Sequence, residues 1–549
     1  VGRWFYDRGF GVSLAEAKSA APAATPPSYS TTNVQVEGVD EADVVKTDGE
    51  HIYLISGSSV VIVKAYPPGE AEVLSRIGMN GTVRGVYINQ EKLAVFGDRF
   101  EGSYRTPRAF IEVYDVSDRR NPILEREVTL DGWYLNSRMI DEYVYAVINS
   151  PATLVEGEVL LPKVCSDDRV REIPASEIYY SDTSDYSHAF ATIVAINVRK
   201  DGEEPTHTTI LMGASSGMYV SLRNIYLAIP NLKVSELGVT DESTLIYRIL
   251  MDGCEIESAA GGEVPGYVLN QFSMDEYDGY FRVATTTGQV WGEKSSRNHV
   301  YILDMGLSIV GRLEGLAPGE RVYSVRFMGE KGYIVTFRKV DPLFVIDLSD
   351  PHNPAVLGQL KITGYSDYLH PYDQNHIIGV GKETIAAEEG DFAWYQGVKI
   401  SLFDVSDVGK PREIAKCEIG DRGTDSPVLR DHKAFLFDRS RSLLAMPVLV
   451  AEIDEEKYPG GVPSNAYGDY VWQGAYVFSI SLEEGLVLRG KITHLENATD
   501  LMKSGHNFSS YYSVKRSLYI GNVLYTISDK RIKMNSLDNL SEINAVNLS

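Results

Sequence analysis

The sequence predicts an all-β fold, a single large propeller of four-stranded blades. Its apolar residues alternate with polar ones, helical periodicity is scarce, and one strand–turn–strand phrase recurs about every 50 residues. From Val34 onward, short stretches rich in Val, Ile, Tyr and Phe are broken by Gly, Asp, Asn and Pro, the pattern of half-buried strands. The phrases HIYLIS (51–56), YVYAVIN (143–149), NIYLAIP (224–230), GYIVTF (332–337) and VLYTIS (523–528) each follow a polar turn and an earlier strand. A second phrase follows some of them, as IEVYDVSDRRNP (111–122), FVIDLSDPHNP (344–354) and SLFDVSDVGKP (402–411). There a strand ends in Asp, a following Asp or Ser closes an Asx or ST turn, and Pro fixes φ before the next strand.

Taken in order, the units start near residues 40, 82, 134, 217, 266, 321, 366, 426 and 508, with insertions near 150–185 and 450–472. Propellers commonly hold four to eight blades, so the expectation is eight or nine. The stretch ETIAAEEG (383–390) is the one place with a helical pattern. The strand NVQVEG (33–38) is expected to pair with the last unit and close the ring. Residues 1–32 stand apart as an extended Ala/Pro-rich tail, and 33–549 form the propeller. The tail opens on Trp4, Phe5, Tyr6 and Phe10. An extended tail gains nothing from four aromatics unless they pack on its own body or dock on another molecule.

The 549 residues carry 76 Asp and Glu against 52 Lys and Arg, a formal charge of −24. Such a chain repels phosphate backbones and shows no basic stripe, which argues against nucleic acid. No run of about 18 apolar residues exists to span a membrane. The chain begins at Val1, as one with its leader removed would, and export is expected.

Three cysteines occur without CxxC spacing, which argues against a thiolate zinc site. Cys165 and Cys254 lie in polar stretches and are the better disulfide pair, while Cys417, in an alternating strand, reads as a buried thiol.

Several long stretches resemble a secreted β-propeller family of archaea and bacteria, distantly related to WD-40 repeats. They are VEGVDEADVVKTDGEHIYLIS (36–56), LNQFSMDEYDGYFRVATTTG (269–288), ERVYSVRFMGEKGYIVTFRKVDPLFVIDLSDPHNP (320–354), YSDYLHPYDQNHIIGVGKE (365–383) and IGDRGTDSPVLRDHKAFLFD (419–438). The resemblance covers most of 34–548. It implies a propeller and export, and brings no activity with it.

The tetrapeptide DEAD (40–43) has no GxxxxGK[ST] loop or strand–helix scaffold beside it, so no nucleotide motor is implied. Asp40, Glu41, Asp43 and Asp48 are hard oxygen ligands without the spacing of a calcium loop. Acids recur at equivalent places in other units, as Asp275 in SMDEYDG and Asp367 in YSDYLHPYD. If inner strands line the channel, Asp40, Glu41, Asp43, Asp275 and Asp367 converge on one rim. Two readings follow: no cofactor is required and the acids bond the amides of neighbouring blades, or they hold a calcium ion. His370, His376 and His432 fall in the same regions, without a metal-ligand spacing.

No G-x-S-x-G elbow occurs, and with 76 acids any carboxylate pair is unremarkable. Asn80, Asn497, Asn507, Asn539 and Asn547 begin sequons and are candidate glycan sites. The functional expectation is an exported cell-surface or extracellular module that binds or assembles without catalysis. Its partners would be further copies of itself or another surface protein, met through the tail, and glycans. The alternative is an extracellular hydrolase or lyase on polysaccharide, with its site at the channel mouth.

Overall fold

The computed structural model describes residues 27–548 apart from 102–105, 167–168, 181–187, 201, 214, 216, 236–237, 290–294, 339–340, 388–389, 391, 497–500 and 502–507. Among the described residues, nine sheets of four or more strands follow one another along the chain, antiparallel except where Ile178–Tyr180 pairs in parallel. They are blade 1 (45–78), blade 2 (82–131), blade 3 (133–212), blade 4 (217–265), blade 5 (267–316), blade 6 (321–362), blade 7 (365–419), blade 8 (436–492) and blade 9 (516–547). Most expected starts fall on or beside the observed first strands. The last two, expected near 426 and 508, lie ahead of strands that begin at Leu436 and Arg516.

Within a blade the strands run in chain order from the channel outward. First strands of neighbours meet at the centre, where the Ser324 hydroxyl donates to the Ser366 carbonyl at 2.6 Å. Second strands are sandwiched between blades, so their apolar residues are continuous: in Lys331–Phe337 every residue after the first is buried. Outermost strands such as Arg412–Ile419 face water on one side and alternate. The stretch read as helical at 383–390 instead ends a second strand, His376–Ala386. Pairing with Ala393–Asp404 overrides the local helical preference there.

The Asp-Ser phrases form the expected turns. Asp115, Asp347 and Asp404 each accept the amide of the Ser two residues on, at 2.8, 3.0 and 3.0 Å. The loops after Asp347 and Asp404, and the one at Leu307 in blade 5, also pack against the outer strand of the preceding blade, where glycine leaves room. A Cβ at Gly262, Gly311 or Gly358 would run into the carbonyl oxygen of Leu307, Pro351 or Val408 respectively.

The first insertion adds Lys163–Ser166 and Arg169–Glu172 to the outer edge of blade 2 and Ile178–Tyr180 to that of blade 3, covering edges that would otherwise stand open. The second pins Tyr467 against Arg422, whose buried guanidinium lies 4.4 to 4.7 Å from the ring centres of Trp394, Tyr395 and Tyr467.

Ring closure differs from expectation. All four strands of blade 9 come from the C-terminal end, and 33–38 pair with none of them. Instead Tyr29 bridges Ile520, and Ser30 donates its amide to the Tyr519 carbonyl at 3.0 Å. Residues 28–44 then form a belt inside the channel that meets the blades in descending order. Ser28 accepts from Arg441 of blade 8 at 2.8 Å. Asn33 donates to the Tyr368 hydroxyl of blade 7 at 3.0 Å. Gln35 accepts from Arg326 of blade 6 at 3.3 Å and donates to the Met274 carbonyl of blade 5 at 3.1 Å. Gly38, at φ 82°, turns beside Leu222 of blade 4. Asp40–Glu41 pair with Arg138–Met139 of blade 3, and Asp43 bridges Val86 of blade 2. Val36, Val39 and Ala42 insert into the seams between blades 4 and 5, 3 and 4, and 2 and 3. Residues 28–32, placed in the tail by composition, therefore belong to the ring. Blades 9 and 1 meet through an apolar seam that includes Leu54, Val61, Ile520 and Met534.

Candidate functional site in the central channel

Inner strands begin at one mouth of the channel, here the upper, and end at the other, where the belt enters. In four blades the inner strand carries a bulge near its start. Arg84, Leu135, Tyr323 and Asp367 are the residues skipped by the pairing. A bulge re-aims one side chain without moving the sheet, and here it does so at the same height in blades 2, 3, 6 and 7.

The acids expected to converge on one rim do not gather. Asp40 Oδ1 takes the Lys46 ammonium at 2.6 Å, and Lys46 also donates to Thr32 at 2.7 Å. Glu41, 3% exposed, stands 3.4 Å from Arg138 and 3.3 Å from His432 Nε2, and accepts from the Gln35 amide at 3.0 Å. Burial pushes its carboxyl up, but Arg138 and His432 outweigh that and hold it well below the usual carboxylate range. Asp43 is bound by Arg516, which also holds Asp431. Asp275 accepts from Arg282 Nε at 3.0 Å, though burial still raises its affinity for a proton. Asp48 lies in the first hairpin of blade 1, where it accepts the His51 amide at 2.7 Å.

These acids do staple the ring, but mainly through guanidinium and ammonium groups rather than the amides of neighbouring blades. Among the described residues no three His, Cys, Asp or Glu come together in a way that could hold a metal. The histidines are likewise engaged. His370 Nδ1 lies 2.9 Å from the Tyr368 hydroxyl, and burial lowers its affinity for a proton to a pKa of about 3. His376 faces Asp373 at 2.8 Å, and His432 faces Glu41.

Asp367 is the exception. It is half-buried at its bulge, and no hydrogen bond to its carboxylate is found among the described residues. Burial pushes its pKa up to about 7, with Lys382 and Arg430 pulling it down and Asp425 pushing it further up. Lys382 is itself buried, and desolvation lowers its pKa.

The disulfide expected between Cys165 and Cys254 is not formed, and all three cysteines are free. Cys165 sits in a strand added to blade 2, opposite Thr129. Cys254 lies at a hairpin of blade 4 and packs on blade 3, where its carbonyl accepts from Thr206. Polar flanks mark both as loop-like but do not say which blade each one meets. Cys417 is half-buried in the outermost strand of blade 7. Asn80, Asn539 and Asn547 are exposed, and Asn547 accepts from Arg531 at 3.0 Å. Asn497 and Asn507, like Trp4, Phe5, Tyr6 and Phe10, lie outside the described residues.

The partners of the acids, Arg138, Arg282 and Arg516, were not singled out by sequence reasoning. A readable signal existed: each lies within an inner or second strand, where an unpaired charge could not be buried.

The propeller fold agrees with comparison to known proteins. A family model described as a beta propeller domain matches residues 29–540. The chain belongs to this beta propeller domain family. The match begins at Tyr29 and so spans the residues of the belt. An uncharacterized protein of Methanocaldococcus jannaschii is 30% identical, covering 94% of this chain and 83% of its own. An uncharacterized protein of Archaeoglobus fulgidus is also 30% identical, covering 80% of this chain and 79% of its own. No helix among the described residues is long and apolar enough to cross a membrane.

Proposed function

We propose that this propeller is an exported, cell-surface module that binds or assembles without catalysis, its N-terminal tail tying one copy to another. One observation carries the reading. Residues 28–44 are held against successive inner strands, so the segment ahead of Pro27, with its Trp4, Phe5, Tyr6 and Phe10, is tethered at the lower mouth between blades 8 and 9. Aromatic residues carried ahead of a rigid ring suit capture of a neighbour, by adding to a sheet edge or filling a groove. The acids lining the axis support the absence of catalysis there, since most are matched by cations. Glycans on Asn80, Asn539 and Asn547 would fit an exported protein.

Light scattering on the full chain and on one lacking residues 1–26 tests this. The full chain is expected to form assemblies that the shortened chain does not, and equal masses would refute the tail's role. Labelling of intact cells with a membrane-impermeant biotin reagent tests the location.

The second reading, a polysaccharide hydrolase or lyase at the mouth, has Asp367 in its favour, because a carboxyl that titrates near neutrality suits proton transfer. Loss of turnover on a glycan panel in Asp367→Asn would support it.

A further inference from the structure

We infer that the upper mouth over blades 5 to 7 is a binding site for a short acidic oligosaccharide, with one sugar carboxylate on Arg321 and a sugar ring against Tyr267 and Tyr323. The inference does not depend on the tail or on any turnover.

The site is a cleft of about 460 Å³ lined by Tyr267, Arg321, Tyr323, Phe337 and Phe392, with Glu242 at its edge. That volume falls within the roughly 300–1,000 Å³ of small-ligand clefts. Its wall is rigid. Tyr323 is aimed by its bulge, and its ring stands 4.7 Å from that of Tyr365 and 5.5 Å from that of Phe337. Tyr365 and Phe337 are 4.8 Å apart, completing a triangle of rings. Tyr267 is 37% exposed at the opening. Glu242 is already engaged, accepting the Gly288 amide at 3.1 Å.

Arg321 supplies the recognition. It is exposed, lies 4.9 Å from the Tyr323 ring centre and donates to the Tyr323 hydroxyl at 3.1 Å. Among the described residues no carboxylate forms an ion pair with it, although the chain has 76 acids for 52 bases. Stacking fixes the guanidinium plane and leaves its remaining N–H groups free to face a carboxylate, which such a fork binds through two parallel bonds.

The C–H face of a pyranose is apolar and slightly positive, and it lies well against the negative face of a tyrosine ring. Arg338 also lines the cleft but has an interaction of its own, so Arg321 is the arginine offered to a single carboxylate. Repulsion from a surface of net charge −24 favours a short ligand over a long polyanion. Asp367, two residues beyond Tyr365 and within electrostatic reach of Arg321, would accept sugar hydroxyls at the channel side.

Isothermal titration calorimetry of the full chain tests the site, with tetramers of galacturonate, glucuronate and mannuronate, a neutral maltotetraose, and adenosine monophosphate. At least one uronate tetramer is expected to bind saturably. Arg321→Gln is expected to weaken that binding by at least about tenfold, the loss of a charge-assisted hydrogen bond. Tyr267→Ala is expected to weaken it too. Both positions are open to water, and an unchanged melting temperature shows that the variants fold. No saturable uronate binding, equal binding by Arg321→Gln, or tighter binding of maltotetraose or of the nucleotide would each overturn the proposal.

Discussion

Arg516 donates from Nε to Asp43 Oδ1 at 3.0 Å, joining the first residue of the last inner strand to the belt just ahead of blade 1. The same guanidinium reaches Asp431, ahead of blade 8. Three segments that the chain brings together only at closure thus share one cation. Both Arg516 and Asp43 are less than a tenth exposed, so the pair is shielded from water and salt.

Arg516→Leu leaves Asp43 charged and buried without its partner. Removing one member of a buried pair costs about 3–5 kcal/mol. Equilibrium denaturation is expected to show a loss of that size, and adding Asp43→Asn is expected to restore part of it. An unshifted midpoint in Arg516→Leu would mean that the seam does not depend on this contact.

Gly311→Ala and Gly358→Ala place a methyl where the next blade's loop carbonyl stands. The loop must move, at a cost of about 1–3 kcal/mol for each substitution. Neither glycine has a positive φ, so the loss would come from space and not from backbone strain. A lowered melting temperature for both variants checks this.

Burial pushes the Asp367 carboxyl up to about 7 in the folded protein, well above the ordinary aspartate range. The folded protein therefore holds this proton more tightly than the unfolded chain does. Its contribution costs stability above pH 7 and is progressively relieved as pH falls toward 4. Other groups titrate in the same range, so the difference from Asp367→Asn isolates the effect. The variant is expected to be the more stable at pH 8, with the gap narrowing through pH 5 and closing as pH falls toward 4. A gap that does not vary with pH would remove Asp367 as a titrating group.

A chelator is expected to leave the melting temperature unchanged, because Asp40, Glu41, Asp43 and Asp275 already face Lys46, Arg138, Arg516 and Arg282. A fall of several degrees on adding EDTA, reversed by calcium, would place an ion on these acids after all.

Much of the architecture can be read without coordinates. The phrases around Tyr53, Tyr333 and Tyr525 mark second strands because a strand sandwiched between blades must be apolar on both faces. Asp115, Asp347 and Asp404 mark turns because their side chains bond amides two residues away. The candidate site was harder to read. Tyr323 and Asp367 stand at bulges, and a bulge shows only in how one strand pairs with the next.

Strand type, turn chemistry and a repeat of roughly 50 residues were therefore local matters, decided by side-chain alternation and by bonds a few residues long. The number of blades, the course of residues 28–44, the separation of Cys165 from Cys254 and the cation for each acid were decided only when the ring closed. Asp43 and Arg516 stand 473 positions apart, and no local preference connects them. What pairs them is the cost of burying either charge alone, a cost that arises only once the blades have surrounded both.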